Sequence, residues 1–240
     1  RCDGSCAGDG DWTAAKRFFI GRDYELGTIA SEELGDLGEV DMSDSQSLYD
    51  FMIWGIQSYP SEHYVLILSD HGMGWLGGWT DPEPYYGEMS LSDIDGTLSA
   101  VLTDTGIGQL ELLGFDACLM AQLETLSMAA PFARYAVASE ETEPSGGWAY
   151  AAFLGELTSN PSMSGADLAV SIVDSYITDD YRITDDEARI SFIEENYEYG
   201  ENMSAREVAE DMSGDITLAA FDLSKVSALN DSVNELVTAL

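Results

Sequence analysis

Leu110–Met120, LELLGFDACLM, is apolar from Leu110 to Phe115, breaks at Asp116-Ala117-Cys118 and resumes at Leu119 with the pattern of a helix. Strand, short turn and helix in that order set Cys118 at the carboxyl end of a buried strand, the edge at which open α/β sheets present their reactive groups. The same order puts the thiol near a helix N-terminus, whose partial positive charge favours the thiolate. A lone cysteine is more often a small buried hydrophobe. Asp116 shifts that balance, because a carboxylate two residues before the cysteine, at the mouth of a sheet, needs a cation or water to satisfy it.

Working outward, the segments on either side alternate between strand and helix patterns. Lys16–Ile20 is a short strand, and Gly21–Asp41 is polar and punctuated by glycine, a loop with room for a hairpin. Ser43-x-x-Gln46 reads as a capping box opening a helix with Leu48, Phe51, Met52, Ile56 and Tyr59 on its core face, ended by Pro60. Tyr64–Ser69 is apolar like a strand buried on both faces. Ser92-x-x-Asp95 predicts a second helix cap, with Ile94, Leu98, Val101 and Leu102 facing inward. After the Cys118 strand and its helix come a strand at Tyr135–Ser139 and a helix capped by Ser164-x-x-Asp167. Thr217–Asp222 is the last strand, and Val226, Leu229, Val233, Leu236 and Leu240 mark a closing helix. Asp179–Asp215 holds 13 acids against 3 bases and reads as an insertion, part helical and part mobile. Strands separated by helices of this length imply parallel βαβ units with helices on both faces.

The chain has 240 residues, enough for one α/β domain with a full core. Its 45 acids against 9 bases give a net charge of −36, which argues against nucleic acid and anionic membrane as partners. That charge suits a cationic substrate, a calcium-rich exterior or a surface adapted to salt. No apolar run approaches the ~18 residues of a membrane-spanning helix. The opening residues Arg1-Cys2-Asp3-Gly4 read as an excised piece from which an upstream signal could have been lost. Three cysteines make no disulfide framework; Cys2 and Cys6 either pair or are loose ends, and two histidines make a zinc site there a poor reading.

Several enzyme templates are absent: there is no G-x-S-x-G elbow, no H-E-x-x-H, no P-loop lysine and no G-x-G-x-x-G after a strand. His63 precedes a strand and reads as a surface residue. His71 follows the YVLILS strand and Asp70. If that strand and Leu110–Phe115 are parallel neighbours, their carboxyl ends bring His71 and Cys118 to one edge, the minimum for nucleophilic attack with proton transfer. Gly72 adds a backbone N–H unobstructed by a side chain, and with the N–H of Cys118 it can hold a developing oxyanion.

Three blocks, YVLILSDHGMGW (64–75), LLGFDACLM (112–120) and VASEETEPSGGWAY (137–150), resemble in order and spacing those of the clostripain family of cysteine peptidases, relatives of caspases, gingipains and legumain. Weaker likeness extends from about Arg17 to the final helix. The resemblance implies one caspase-like α/β/α sandwich over residues 1–240, with a mostly parallel central sheet, lacking the family's first strand and helix. It implies His71 and Cys118 as the dyad and cleavage after Arg or Lys. Asp116 stands at the family's acidic position, matched to a basic P1 side chain, and a buried carboxylate there pairs with guanidinium or ammonium far better than with a neutral group. Glu140, Glu141 and Glu143 add to the field around the pocket or form a solvated acidic loop. Gly146 stands where relatives carry a second acid. Gly147 and Trp148 offer backbone and an aromatic wall to an extended substrate, Trp148 having an equal claim as a packing residue.

The expectation is therefore a secreted cysteine endopeptidase acting on proteins or peptides with basic P1 residues. It requires no cofactor or metal, and calcium is compatible with the acidic exterior. The alternative is a non-catalytic, peptidase-like domain that binds basic peptides or calcium through its acidic rim.

Overall fold

The computed structural model describes residues 12–22, 29–81, 87–144, 146–185, 204–214 and 216–240. Cys2 and Cys6 lie outside the described residues, as does Arg189. The chain divides into two compact units, residues 1–42 and 43–240.

The described residues of the first unit contain a pair of strands. β1 (Ala15–Phe19) pairs antiparallel with β2 (Glu32–Gly38), with two register irregularities. Lys16 reaches Glu33 at 2.7 Å and lies over the ring of Trp12.

The second unit is built on a four-stranded sheet in the order β3 (Val65–Ser69), β6 (Leu110–Asp116), β7 (Ala133–Ser139), β8 (Leu218–Asp222). β3, β6 and β7 are parallel. β8 is antiparallel to β7, so the sheet is mostly parallel, as expected. The residue before β8 is tied to the end of β7. The Thr217 hydroxyl is 2.9 Å from that of Ser139 and accepts from the Glu141 N–H, so the chain enters β8 at the carboxyl end of β7 and runs back along it.

Side chains alternate across the sheet. Leu113 and Phe115 of β6 join one core with Leu48 and Met52 of α1 (Ser45–Ser58) and Ile94, Leu98 and Val101 of α2 (Leu91–Thr105). Leu126 and Ala129 of α3 (Leu123–Ala129) complete that layer. Leu112 faces the other core, with Phe153 of α4 (Tyr150–Ser159) and Leu168 and Ile172 of α5 (Gly165–Ser175). Each fully buried Leu or Phe contributes about 1.5–3 kcal/mol of transfer free energy. Ile183, of the single-turn α6 (Tyr181–Thr184), and Met212, of the helix Ala205–Gly214, join this second core, so both described ends of the acidic segment are packed. The two remaining strands, β4 (Gly77–Asp81) and β5 (Gly87–Ser90), form a separate antiparallel pair.

Several local expectations are corrected. The α1 cap is Asp44, which accepts from the Gln46 N–H. Phe51 and Tyr59 leave the core face to pack on Trp54 from outside. α2 starts two residues early, on a capping box of Ser90 and Asp93, because β5 runs straight into it. β3 is an edge strand among the described residues, and Val65 is exposed. The closing helix forms as Val226–Ala239, but only Val226 of its apolar stripe is buried; Leu229, Val233, Leu236 and Leu240 are exposed.

Candidate active site

β3 and β6 pair in register from Val65↔Leu112 to Ser69↔Asp116, and the Asp70 N–H extends the ladder to the Asp116 carbonyl at 3.3 Å. His71 and Cys118 each stand two residues past the last registered pair, so the topology delivers both to one edge. The fit there is close. A Cβ on Gly72 would run into the Cys118 carbonyl and press on Met120 at 3.0 Å and Ala117 at 3.1 Å.

His71 is exposed, and its N–H donates to the Asp70 carboxylate at 2.6 Å. The chain then folds back through one 3₁₀ turn, Gly74–Leu76. Met73 N–H meets the Gly77 carbonyl at 2.8 Å, Trp79 N–H meets the His71 carbonyl at 2.9 Å, and Gly72 faces Gly78 as an isolated antiparallel bridge. In such a non-hydrogen-bonded pair the two residues do not exchange N–H···O bonds. Neither the Gly72 N–H nor the Cys118 N–H is used in a hydrogen bond among the described residues.

Cys118 is a free, half-buried thiol. The Glu143 N–H donates to its Sγ at 3.2 Å, and Sγ lies 3.9 Å from the Glu143 carbonyl. The backbone of this one residue thus offers the sulfur both a donor and an acceptor. The helix expected from Leu119 begins instead at Leu123. Leu119 takes a φ of 66°, in the left-handed region that costs an L-residue about 1–2 kcal/mol. Two bonds hold the turn, Leu119 N–H to the Glu141 carbonyl at 3.0 Å and Ala121 N–H to the Ser139 carbonyl at 2.8 Å. Cys118 therefore does not stand at a helix N-terminus as expected, and the donor that meets its sulfur is the Glu143 N–H.

Asp116 points to the other face of β6 and is buried. Its Oδ2 accepts from the Trp148 N–H at 3.3 Å and the Tyr150 hydroxyl at 2.8 Å. Gly147 has a φ of 68°, and a Cβ there would stand 2.9 Å from Oδ2, so the loop approaches the carboxylate without a side chain between. Trp148 is wholly buried with its ring against Gly114, and its indole N–H donates to Glu143 Oε2 at 3.0 Å. Its ring thus lines the back of the loop. Glu143 Oε1 is buried with no hydrogen-bond partner. Burial, and then the charge of Asp116, push the Glu143 carboxyl up to about 9. Burial and Asp116 also raise Tyr150, which keeps its proton and its role as donor.

Behind the loop, Arg182 donates to the carbonyls of Gly146 at 2.8 Å, Trp148 at 3.1 Å and Gly147 at 3.5 Å. Its Nη2 also meets Asp180 Oδ2 at 2.6 Å.

The structure therefore gathers His71, Gly72, Cys118, Asp116, Gly147 and Trp148 at one sheet edge. Glu141 contributes only backbone contacts, its side chain being exposed. Sequence reasoning grouped Glu143 with the rim acids and overlooked Tyr150 and Arg182. The Tyr150 signal was its place in the GGWAY block; that of Arg182 was a base standing among many acids.

The sequence model of the clostripain family, peptidase family C11, matches residues 22–240. The chain belongs to the clostripain family. Solved structures of C11 proteases share the fold. A secreted C11 cysteine protease from Bacteroides thetaiotaomicron, in complex with an irreversible peptide inhibitor, is 18% identical with a TM-score of 0.62, over 90% of this chain and 55% of that one. An inactive zymogen C11 protease from Parabacteroides distasonis is 18% identical with a TM-score of 0.57, over 90% of this chain and 50% of that one. The chain thus spans about half the length of these clostripain-family structures. No curated protein matches it.

Proposed function

We propose that this clostripain-family chain is a cysteine endopeptidase that cleaves after Arg or Lys. The thiolate of Cys118 attacks the scissile carbonyl carbon, and the N–H groups of Gly72 and Cys118 take the oxyanion. His71 gives a proton to the leaving amine, producing a thioester. It then takes a proton from water, whose attack releases the carboxylate product and the free enzyme. No step requires a cofactor. Among the described residues no group of three or more His, Cys, Asp or Glu is placed to hold a metal ion; the place we assign to calcium is the acidic exterior alone.

The observation that carries the specificity is the buried Asp116 carboxylate two residues before Cys118. The Trp148 N–H and the Tyr150 hydroxyl both meet Oδ2, and the neighbouring carboxyl of Glu143 is this carboxylate's other side-chain partner; a P1 guanidinium or ammonium would pair with the two acids. Glu143 supplies a second carboxyl from the loop. Substrates are proteins or peptides, in keeping with the peptide inhibitor held by the Bacteroides relative. That relative is secreted, and we place this chain outside the cell as well. Among the described residues no helix is long and apolar enough to cross a membrane.

Asp116→Asn tests the pocket. It keeps the shape and removes the charge, and is expected to lower kcat/KM for P1-Arg peptides by about 2–4 kcal/mol of transition-state binding. Unchanged kcat/KM would move the specificity role off Asp116. Iodoacetamide at neutral pH separates peptidase from binding domain: an activated Cys118 alkylates faster than Cys2 or Cys6, and equal rates favour the non-catalytic reading.

A further inference from the structure

The Gly146–Trp148 backbone has to be held in place, because two consecutive glycines leave a chain its widest conformational freedom. We propose that Arg182 is the positioning residue that holds it. With Asp180 it fixes this loop over Asp116, and so sets the affinity for a basic P1 side chain without touching the reacting atoms. The inference rests on the reading of the site as a basic-P1 peptidase.

The geometry of one peptide unit carries the argument. The carbonyl of Gly147 and the N–H of Trp148 belong to the same planar group and point in opposite directions. Arg182 Nη2 holds the carbonyl side at 3.5 Å, and Asp116 Oδ2 receives the N–H side at 3.3 Å. Fixing one end therefore aims the other at the carboxylate. The contacts to Gly146 at 2.8 Å and Trp148 at 3.1 Å fix the peptides on either side. Three successive carbonyls are met by one rigid fork of donors, which a lysine, with a single point charge, does not reproduce.

Asp180 supplies the other half. It is 3% exposed; its Oδ1 accepts from the Arg182 N–H at 2.9 Å and from Nε at 3.0 Å, and its Oδ2 from Nη2 at 2.6 Å. The same carboxylate therefore places both the backbone and the head of Arg182. It also offsets the guanidinium charge, which would otherwise oppose the entry of a P1 cation beside Asp116. The pair orients the loop while leaving the charge of Asp116 to the substrate.

The test compares wild type, Arg182→Lys, Arg182→Ala and Asp180→Asn for kcat and KM on a P1-Arg reporter peptide, for Tm, and for the rate of Cys118 alkylation by iodoacetamide. The expected result is a KM about tenfold higher in all three variants, with kcat within about twofold and alkylation unchanged, because the thiol and its Glu143 donor lie outside the clamp. Arg182→Lys carries the test if Arg182→Ala fails to fold. An unchanged KM in a folded variant overturns the inference. So does a loss of kcat and alkylation rate in proportion to a fall in Tm, which marks a merely structural tie. If folded wild type hydrolyses no P1-Arg peptide, the basic-P1 reading falls and the inference with it; if wild type is active and the variants keep its KM, only the inference falls.

Discussion

The N–H of Glu143 donates to the Sγ of Cys118 across 3.2 Å, while the carboxyl of the same residue shares a buried site with Asp116. One residue thus spans Cys118 and Asp116, which in the proposed function are the nucleophile and the floor of the P1 pocket. On that reading, titration of its side chain is sensed where the P1 group binds.

The pH dependence of binding follows from that. With its carboxyl pushed up to about 9, by burial first and Asp116 second, Glu143 is protonated in the empty pocket at neutral pH. A cation bound between the two carboxyls favours the ionised form, so binding expels a proton and tightens as pH rises toward about 9. KM for a P1-Arg peptide is expected to fall over that range in wild type and to flatten in Glu143→Gln. A KM profile identical in the two proteins would remove Glu143 from the pocket.

Stability runs the other way. From the ordinary carboxyl value of 4.5 up to about 9, the folded chain keeps a proton that the unfolded chain has released. The stabilisation is complete below the lower value and is lost as pH rises through the upper one. The Tm of the substrate-free protein is expected to fall with pH across this window more steeply in wild type than in Glu143→Gln; parallel curves would contradict it.

Gly72→Ala puts a methyl group into the Cys118 carbonyl. The neighbour is backbone and cannot swing aside, so the strands must part. We expect a loss of about 1–3 kcal/mol of stability and near-complete loss of turnover, read by Tm and by peptide hydrolysis. Wild-type Tm and activity would show that the close approach is dispensable.

Much of this arrangement was legible in the sequence, because two apolar strands ending in Asp70-His71-Gly72 and Asp116-Ala117-Cys118 leave few ways to form a parallel pair. Ser69↔Asp116 is the register that such strands take. What the sequence hid were features set by tertiary context. Leucine has no preference for a left-handed φ, so nothing at Leu119 announced that the helix would wait until Leu123. Capping pairs of the form S-x-x-D overlap at Ser90 and Ser92, and the end of β5 chose between them. Glu143 looked like its neighbours Glu140 and Glu141; only the fold buries one and leaves the others in water. Arg182 stood in a segment read as an insertion, and its partners lie about 35 residues away.

Self-cleavage is constrained by both sequence and structure. No Lys or Arg lies between Arg22 and Arg134, so a basic-P1 enzyme cannot cut its own chain between His71 and Cys118. By sequence, Arg182, Arg189 and Arg206, within the acidic segment Asp179–Asp215, are the favoured sites. Arg182 is now set aside, since its guanidinium is committed to Asp180 and three carbonyls. A nick after Arg189 or Arg206, or none, is expected by mass spectrometry of the incubated wild type beside Cys118→Ala. A Cys118-dependent cut between Gly72 and Ala117 would contradict basic P1 specificity.

Salt offers a separate check on the exterior. With a net charge of −36, self-repulsion weakens the fold at low ionic strength and relaxes as ions screen it. Tm is expected to rise with NaCl, and with CaCl2 beyond the rise that ionic strength alone explains if calcium binds. A flat or falling Tm would count against both.

The most direct measurement is hydrolysis of P1-Arg, P1-Lys and P1-Asp reporter peptides by wild type, His71→Ala and Cys118→Ala. In the proposed mechanism Cys118 and His71 act as one unit, so removing either is expected to cost nearly all of the turnover. The expected result is cleavage of the Arg or Lys reporter by wild type, none of the Asp reporter, and no turnover by Cys118→Ala. Substantial hydrolysis by Cys118→Ala, or a wild type that prefers P1-Asp, would contradict the assignment.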